Sequence, residues 1–213
     1  MERKFFIGIM AIIFCLPTIV AQTSQITENV NKDIEKRCKE TVDAYTYHVG
    51  RIVDKNNSDL VKEESIETAL FYFIGEGDGL KLLDEWGNPV MEDGAFVFKI
   101  NPPRIEITSR YRETQKPYIK TYLRSLLTLP YEEVSISSSN AHILSELKQV
   151  GENEYEAVLG YAQIFKGRNG EWTIIDIDKK WTRMRISREI YDDGKERWNI
   201  KMGDIYAQSI EHK

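Results

Sequence analysis

From Tyr131 to Ile210 the apolar residues of this 213-residue chain recur mostly at every second position. That is the period of a strand with one buried face. Val134 and Ile136 alternate with serines, and Tyr155, Ala157, Leu159, Tyr161, Gln163 and Phe165 share one side. Trp172 opens a long strand that continues through Trp181 to Ile190. Asp192-Asp193-Gly194-Lys195 reverses the chain, and Arg197 to Ile210 runs back. Four long antiparallel strands with one oily face need a cover.

The first half of the chain supplies it. Ile34, Cys38, Val42, Tyr45, Val49 and Ile52 follow at steps of three and four, which is one stripe along a helix. Lys55-Asn56-Asn57-Ser58 ends that helix, and Ser58 or Asp59 caps the next, over roughly Leu60 to Ile74. Ile66, Leu70, Phe73 and Ile74 mark its buried face. Gly75-Glu76-Gly77-Asp78-Gly79 stops it. A third helix follows Thr114, with Pro117 in its first turn and Ile119, Tyr122, Leu123, Leu126 and Leu127 on one side. Between them, Trp86-Gly87-Asn88-Pro89 and Glu92-Asp93-Gly94 are turn signals, and strands are expected at Ala95–Ile100 and Ile105–Ile107. The expected fold is α+β: three helices packed on a strongly curved, mostly antiparallel sheet, a cone.

The N-terminus reads as an address. Arg3 and Lys4 precede an apolar run from Phe5 to Val20, and Ala21 precedes the polar Gln22-Thr23-Ser24-Gln25. This is the order of a secretory signal cut after Ala21. The run is about 16 residues, short of the ~20 that a spanning helix needs. Export to the periplasm or the extracellular space is expected, with no transmembrane segment left after cleavage. Residues 22–33 read as a polar spacer, and 34–213 as a single domain. Cleavage also removes Cys15, so Cys38 is left without an internal disulfide partner. The net charge of −5 disfavours a nucleic-acid partner. No pair of histidines has ligand spacing, and no metal or cofactor is expected.

The last hairpin can be registered. Met184, Ile186 and Ile190 must share a face with Trp198, Ile200 and Met202. A three-residue loop, Asp193-Gly194-Lys195, sets Ile190 against Trp198 and Ile186 against Met202. Arg183, Arg185, Arg197 and Lys201 then fall on the outer face, with Trp181 at their edge.

The element order and the closing strands, Lys180-Trp181-Thr182-Arg183-Met184 through Arg197-Trp198-Asn199-Ile200-Lys201-Met202-Gly203-Asp204-Ile205, resemble the nuclear-transport-factor-like superfamily, which includes the ketosteroid isomerases. Leu129-Pro130-Tyr131-Glu132-Glu133-Val134-Ser135-Ile136 is similar to secreted members from gut-type bacteria, whose function is unknown. The resemblance spans roughly Ile34 to Ile210. It implies a cavity between sheet and helices, used in related proteins for catalysis, for small ligands or for nothing.

Candidate residues follow from facing. Strict alternation puts Asp204 inside, where an unpartnered carboxylate would suit a general base. A bulge at Gly203 would instead turn it out and bring Ile205 and Ala207 in. His48 borders the stripe of the first helix and is a second candidate base. Tyr45, Tyr122 and Tyr161, with Trp198, are expected to point inward as ligand contacts, and Tyr45 doubles as an oxyanion donor. Trp181, Arg183, Arg185, Arg197 and Lys201 form an outer patch suited to an anionic glycan or an acidic protein. The favoured reading is a secreted, non-catalytic binding or interaction module that takes a protein, a glycan or a small apolar ligand. The alternative is a small lyase or isomerase of the ketosteroid-isomerase kind. A homodimer formed through the sheet is a further expectation; the charged outer face argues against a large apolar interface, though not against a polar one.

Overall fold

The computed structural model describes residues 16–109, 112–190 and 196–208. The chain divides into two units, residues 1–34 and 35–213. Most of the stretch expected to be a signal, including Arg3 and Lys4, lies outside the described residues. Helix α1 spans Leu16–Val53, so the stretch read as a spacer is helical. Its many Thr, Ser, Asn and Gln residues blur the apolar period without breaking a helix. No helix among the described residues is long and apolar enough to cross a membrane.

In the second unit the stripe behaves as its spacing requires. Cys38, Val42, Tyr45, Val49 and Ile52 are all at most 1% exposed. Asp54 turns the chain by accepting from the Asn56 amide, and Ser58 caps α2 (Asp59–Phe71), with its hydroxyl accepting from Val61 N. Ile66, Phe73 and Ile74 are buried, and Leu70 is half-buried. The glycine run opens a tight turn over Ile74–Gly77, with Gly75 and Glu76 both in the left-handed region.

Gly79 follows with φ +72°, and a Cβ there would stand 2.3 Å from the Ile100 carbonyl oxygen. Gly79→Ala is therefore expected to cost at least about 2 kcal/mol, from left-handed strain plus a backbone clash. Urea unfolding of the variant measures it.

Two short antiparallel pairs follow, one nested in the other: β1 (Leu80–Lys81) pairs β4 (Phe98–Ile100), and β2 (Met91–Glu92) pairs β3 (Ala95–Phe96). The second turns on Asp93 and Gly94, both at positive φ, the hairpin chemistry that the sequence signals. Next come β5 (Ile107–Ser109) and β6 (Arg112–Gln115), a third small pair.

Helix α3 is Ile119–Ser125, continued by a 3₁₀ turn. It starts later than the sequence suggested, because Thr114 belongs to β6 and Pro117 lies ahead of the helix. The Pro117 carbonyl accepts from Ile105 N, and a proline steers the residue before it away from helical angles.

The large sheet holds β7 (Glu133–Ile143), β8 (Lys148–Gly151), β9 (Glu154–Asn169), β10 (Trp172–Ile190) and β11 (Glu196–Gln208). The order is β11-β10-β9-β7, with β8 on the start of β9, and every pair is antiparallel. The architecture is the expected α+β arrangement of three helices with a curved antiparallel sheet. Helix and sheet meet at Ser138, whose hydroxyl is 3.3 Å from the Asp43 carboxylate, and at Tyr72, whose carbonyl accepts from Met202 N. The outer edge of β11 is joined in parallel by residues 104–106, through Ile205 N to Arg104 O and Glu106 N to Ile205 O.

The last hairpin is displaced by two residues from the expected register. Met184 faces Met202, Ile186 faces Ile200 and Ile190 faces Glu196. A two-residue shift preserves the side of every residue, so Met184, Ile186 and Met202 still form the core, at 0% exposure. The connection is longer than three residues; it spans 191–195, outside the described residues. Farther along, Thr182 faces Ile205 while Met184 faces Met202, so Gly203 and Asp204 together oppose Arg183. This is the bulge, and it flips the phase of the strand. Ile205 is 1% exposed and Asp204 is turned off the inner face.

Candidate functional site

The inner face of β9 and β10 carries polar residues where a core would be apolar. Tyr161 and Gln163 project from β9; Lys180 stands directly across from Tyr161, and Asp178 across from Gln163. Tyr45 from α1 and Tyr122 from α3 complete the group. Tyr45, Tyr122, Tyr161, Gln163 and Lys180 are all buried.

The three phenols are held neutral. Burial pushes the Tyr45 hydroxyl well above its ordinary range, with Tyr122 and Tyr161 adding to it. Burial and then Tyr122 do the same to Tyr161, and burial and then the Asp178 carboxylate to Tyr122. A neutral phenol is a hydrogen-bond donor. Yet the hydroxyls of Tyr45 and Tyr161 and the amide nitrogen of Gln163 have no hydrogen-bond partner among the described residues. Buried polar groups are nearly always paired, because an unpaired one forfeits its hydration. Three in one neighbourhood are an unusual expense. The Tyr45 ring itself is well used, edge-on to Phe73 at 5.2 Å.

Lys180 differs. Its amine donates to the Glu106 carbonyl at 3.1 Å and lies 3.5 Å from the Asp178 carboxylate, which also faces the Thr108 hydroxyl at 3.3 Å. Burial lowers its pKa, against the opposing pull of Asp178 and Glu106. The group thus combines three neutral phenols, an amide, and an amine beside a carboxylate.

The sequence candidates divide. Tyr45, Tyr122 and Tyr161 are buried, in line with their expected inward facing, and the fold sets them near one another. Trp198 is not with them; it is half-buried and edge-on to Tyr155 at 5.8 Å. Asp204 is not an interior base: its carboxylate accepts from Arg104 N at 2.8 Å and from the Tyr206 hydroxyl at 3.1 Å. His48 packs against Tyr47 and Tyr72, and its ring contacts are outside the tyrosine group. Burial, then Arg51, lowers its pKa.

The outer patch also separates. Trp181 stacks on Tyr206 at 4.0 Å. Lys201 is spent on the end of α2, donating to the Phe71 carbonyl at 2.5 Å and sitting over its ring. Arg185 binds Glu154, and Arg197 lies across from Glu189. Arg183 is exposed. Lys180 and Gln163 were missed as site residues, although counting back by twos from Met184 through Thr182 reaches Lys180. Among the described residues no group of three His, Cys, Asp or Glu is placed to hold a metal.

No family model matches the chain, and no curated protein matches it. One solved structure is similar in chain path: a Novosphingobium aromaticivorans protein, provisionally assigned as a scytalone dehydratase. The identity is 14%, the TM-score is 0.43, and the match covers 84% of this chain and 87% of that one.

Proposed function

We propose that the unit of residues 35–213 binds a small, largely apolar molecule through one carbonyl-type acceptor, against Tyr45, Tyr161 and Gln163. The observation that carries this reading is the set of three buried donors without partners. A ligand carbonyl would supply the missing acceptor, and the apolar residues around them would hold its body.

The test uses α-tetralone, a bicyclic ketone, and tetralin, the same frame without the oxygen. Tetralone is expected to raise the unfolding midpoint with concentration, and tetralin to do so much less. Tyr161→Phe is expected to stabilise the free protein by about 1 kcal/mol, since it removes an unpaired buried hydroxyl. The same variant should bind tetralone roughly three- to tenfold more weakly, the worth of one neutral hydrogen bond. Equal stabilisation by both compounds, or undiminished binding by Tyr161→Phe, would sink the proposal.

The 3.5 Å approach of Lys180 to Asp178 beside Tyr161 favours a second reading, acid–base work on the bound ketone. It predicts hydrogen–deuterium exchange at the carbon next to the tetralone carbonyl, faster than in buffer and lost in Lys180→Met. Exchange at the buffer rate leaves only the binding role.

A further inference from the structure

On the opposite side of the sheet, the bulge and the segment after β4 enclose a cleft of about 340 Å³. It is independent of the tyrosine group. Lys99, Arg183 and Arg185 line it together with Glu156, Asp204 and Tyr206. Both Arg183 and Lys99 are exposed, and neither side chain makes an ion pair or hydrogen bond with another described residue, although the Arg183 guanidinium lies near enough to Tyr206 to act on its hydroxyl. Glu156 is likewise unengaged, and Asp204 keeps lone pairs beyond the two bonds that it accepts. Ile74, Ile100 and Pro103 add apolar wall.

The chemistry of this lining is specific. Two open cations call for an anion. Two carboxylates in the same cleft repel a compact dianion such as phosphate, but accept hydrogen bonds from hydroxyls. An aromatic side chain and aliphatic wall suit the C–H face of a sugar ring. The volume is at the lower end for small-molecule sites, enough for roughly one or two such rings. We infer that this cleft binds a carboxylated saccharide, with Arg183 and Lys99 on the carboxylate and Glu156 and Asp204 on ring hydroxyls. The bulge is what assembles it, since only a flipped Asp204 can reach the outer face.

Isothermal titration of the full chain with D-glucuronate, D-glucose and inorganic phosphate tests this. Glucuronate is expected to bind saturably, and glucose at least about tenfold more weakly, because it lacks the charge-assisted contact. Phosphate should not compete. Arg183→Gln should weaken glucuronate about tenfold or more and leave glucose nearly unchanged. Its unfolding midpoint should equal that of the parent, as the side chain is exposed. Lys99→Gln, off the main sheet, should act in the same direction. No saturation at millimolar glucuronate, equal binding of glucose, competition by phosphate, or parental affinity in both variants would each overturn the inference.

Discussion

Raising the pH from 9 to 11 is expected to unfold the protein. Tyr45, Tyr122 and Tyr161 all have hydroxyls whose pKa burial lifts above the ordinary 10.0. Cys38, at 0% exposure, has a thiol pushed up from 9.0 to about 12 by burial and then by Glu35. In each case the folded state keeps a proton that the unfolded state gives up. The stabilisation is complete below the unfolded pKa and is lost as pH rises above it. Each tyrosine then costs about 1.4 kcal/mol per pH unit beyond 10, so three cost about 4 kcal/mol per unit. The thiol begins to cost a unit earlier. Lys180 and Lys201 work the other way, since burial lowers their pKa values and their contribution improves as pH approaches 10.5. Two amines do not offset these four acids and Tyr206, whose pKa burial also raises. Total stabilities run at about 5–15 kcal/mol, so the fall is decisive. Urea unfolding at pH 9, 10 and 11 should show it, with tyrosinate absorbance from the buried phenols appearing only as the chain unfolds. A flat profile, or early titration of all 11 tyrosines, would mean that these phenols are not enclosed.

Phe73→Ala should be the most damaging single truncation, at about 3–5 kcal/mol. The ring is 0% exposed and stands edge-on to Tyr45, while its backbone bridges Met202 of β11. It therefore joins α1, the end of α2 and the closing strand at one point. The cavity left would open beside the tyrosine group, so ligand binding should weaken together with stability. Leu60→Ala, at a residue 70% exposed on α2, should change stability by no more than about 0.5 kcal/mol. Guanidinium unfolding of the two variants gives the comparison. Similar losses in both would mean that Phe73 is not enclosed in the core.

Local signals were readable where one residue type answers one local demand. Ser58 caps α2, and Asp93-Gly94 turns a hairpin, because those conformations admit few alternatives. The third helix was misplaced because Thr114 and Pro117 carry signals that suit either a helix start or a strand end. Tyr161 was legible as inward-facing from strand parity, and Tyr45 and Tyr122 from the steps of three and four along their helices. Trp198 shares that parity yet belongs elsewhere, because parity gives a side and not a position along the strand. Lys180 was overlooked because charge argues for the surface, and only its neighbours Asp178 and Glu106 make its burial tolerable.

By itself, the sequence determined the buried stripes of the first two helices, the two-residue period of the second half and the side on which most strand residues lie, because these depend on neighbours a few positions apart. Only the tertiary structure decided the register of the final hairpin, the bulge at Gly203 and the gathering of Tyr45, Tyr122, Tyr161 and Lys180. Alternation is unchanged by a slip of two residues, and a bulge is chosen by what packs on both faces of the strand. The meeting of side chains from α1, α3, β9 and β10 depends on how far apart those elements come to rest, which no local pattern encodes.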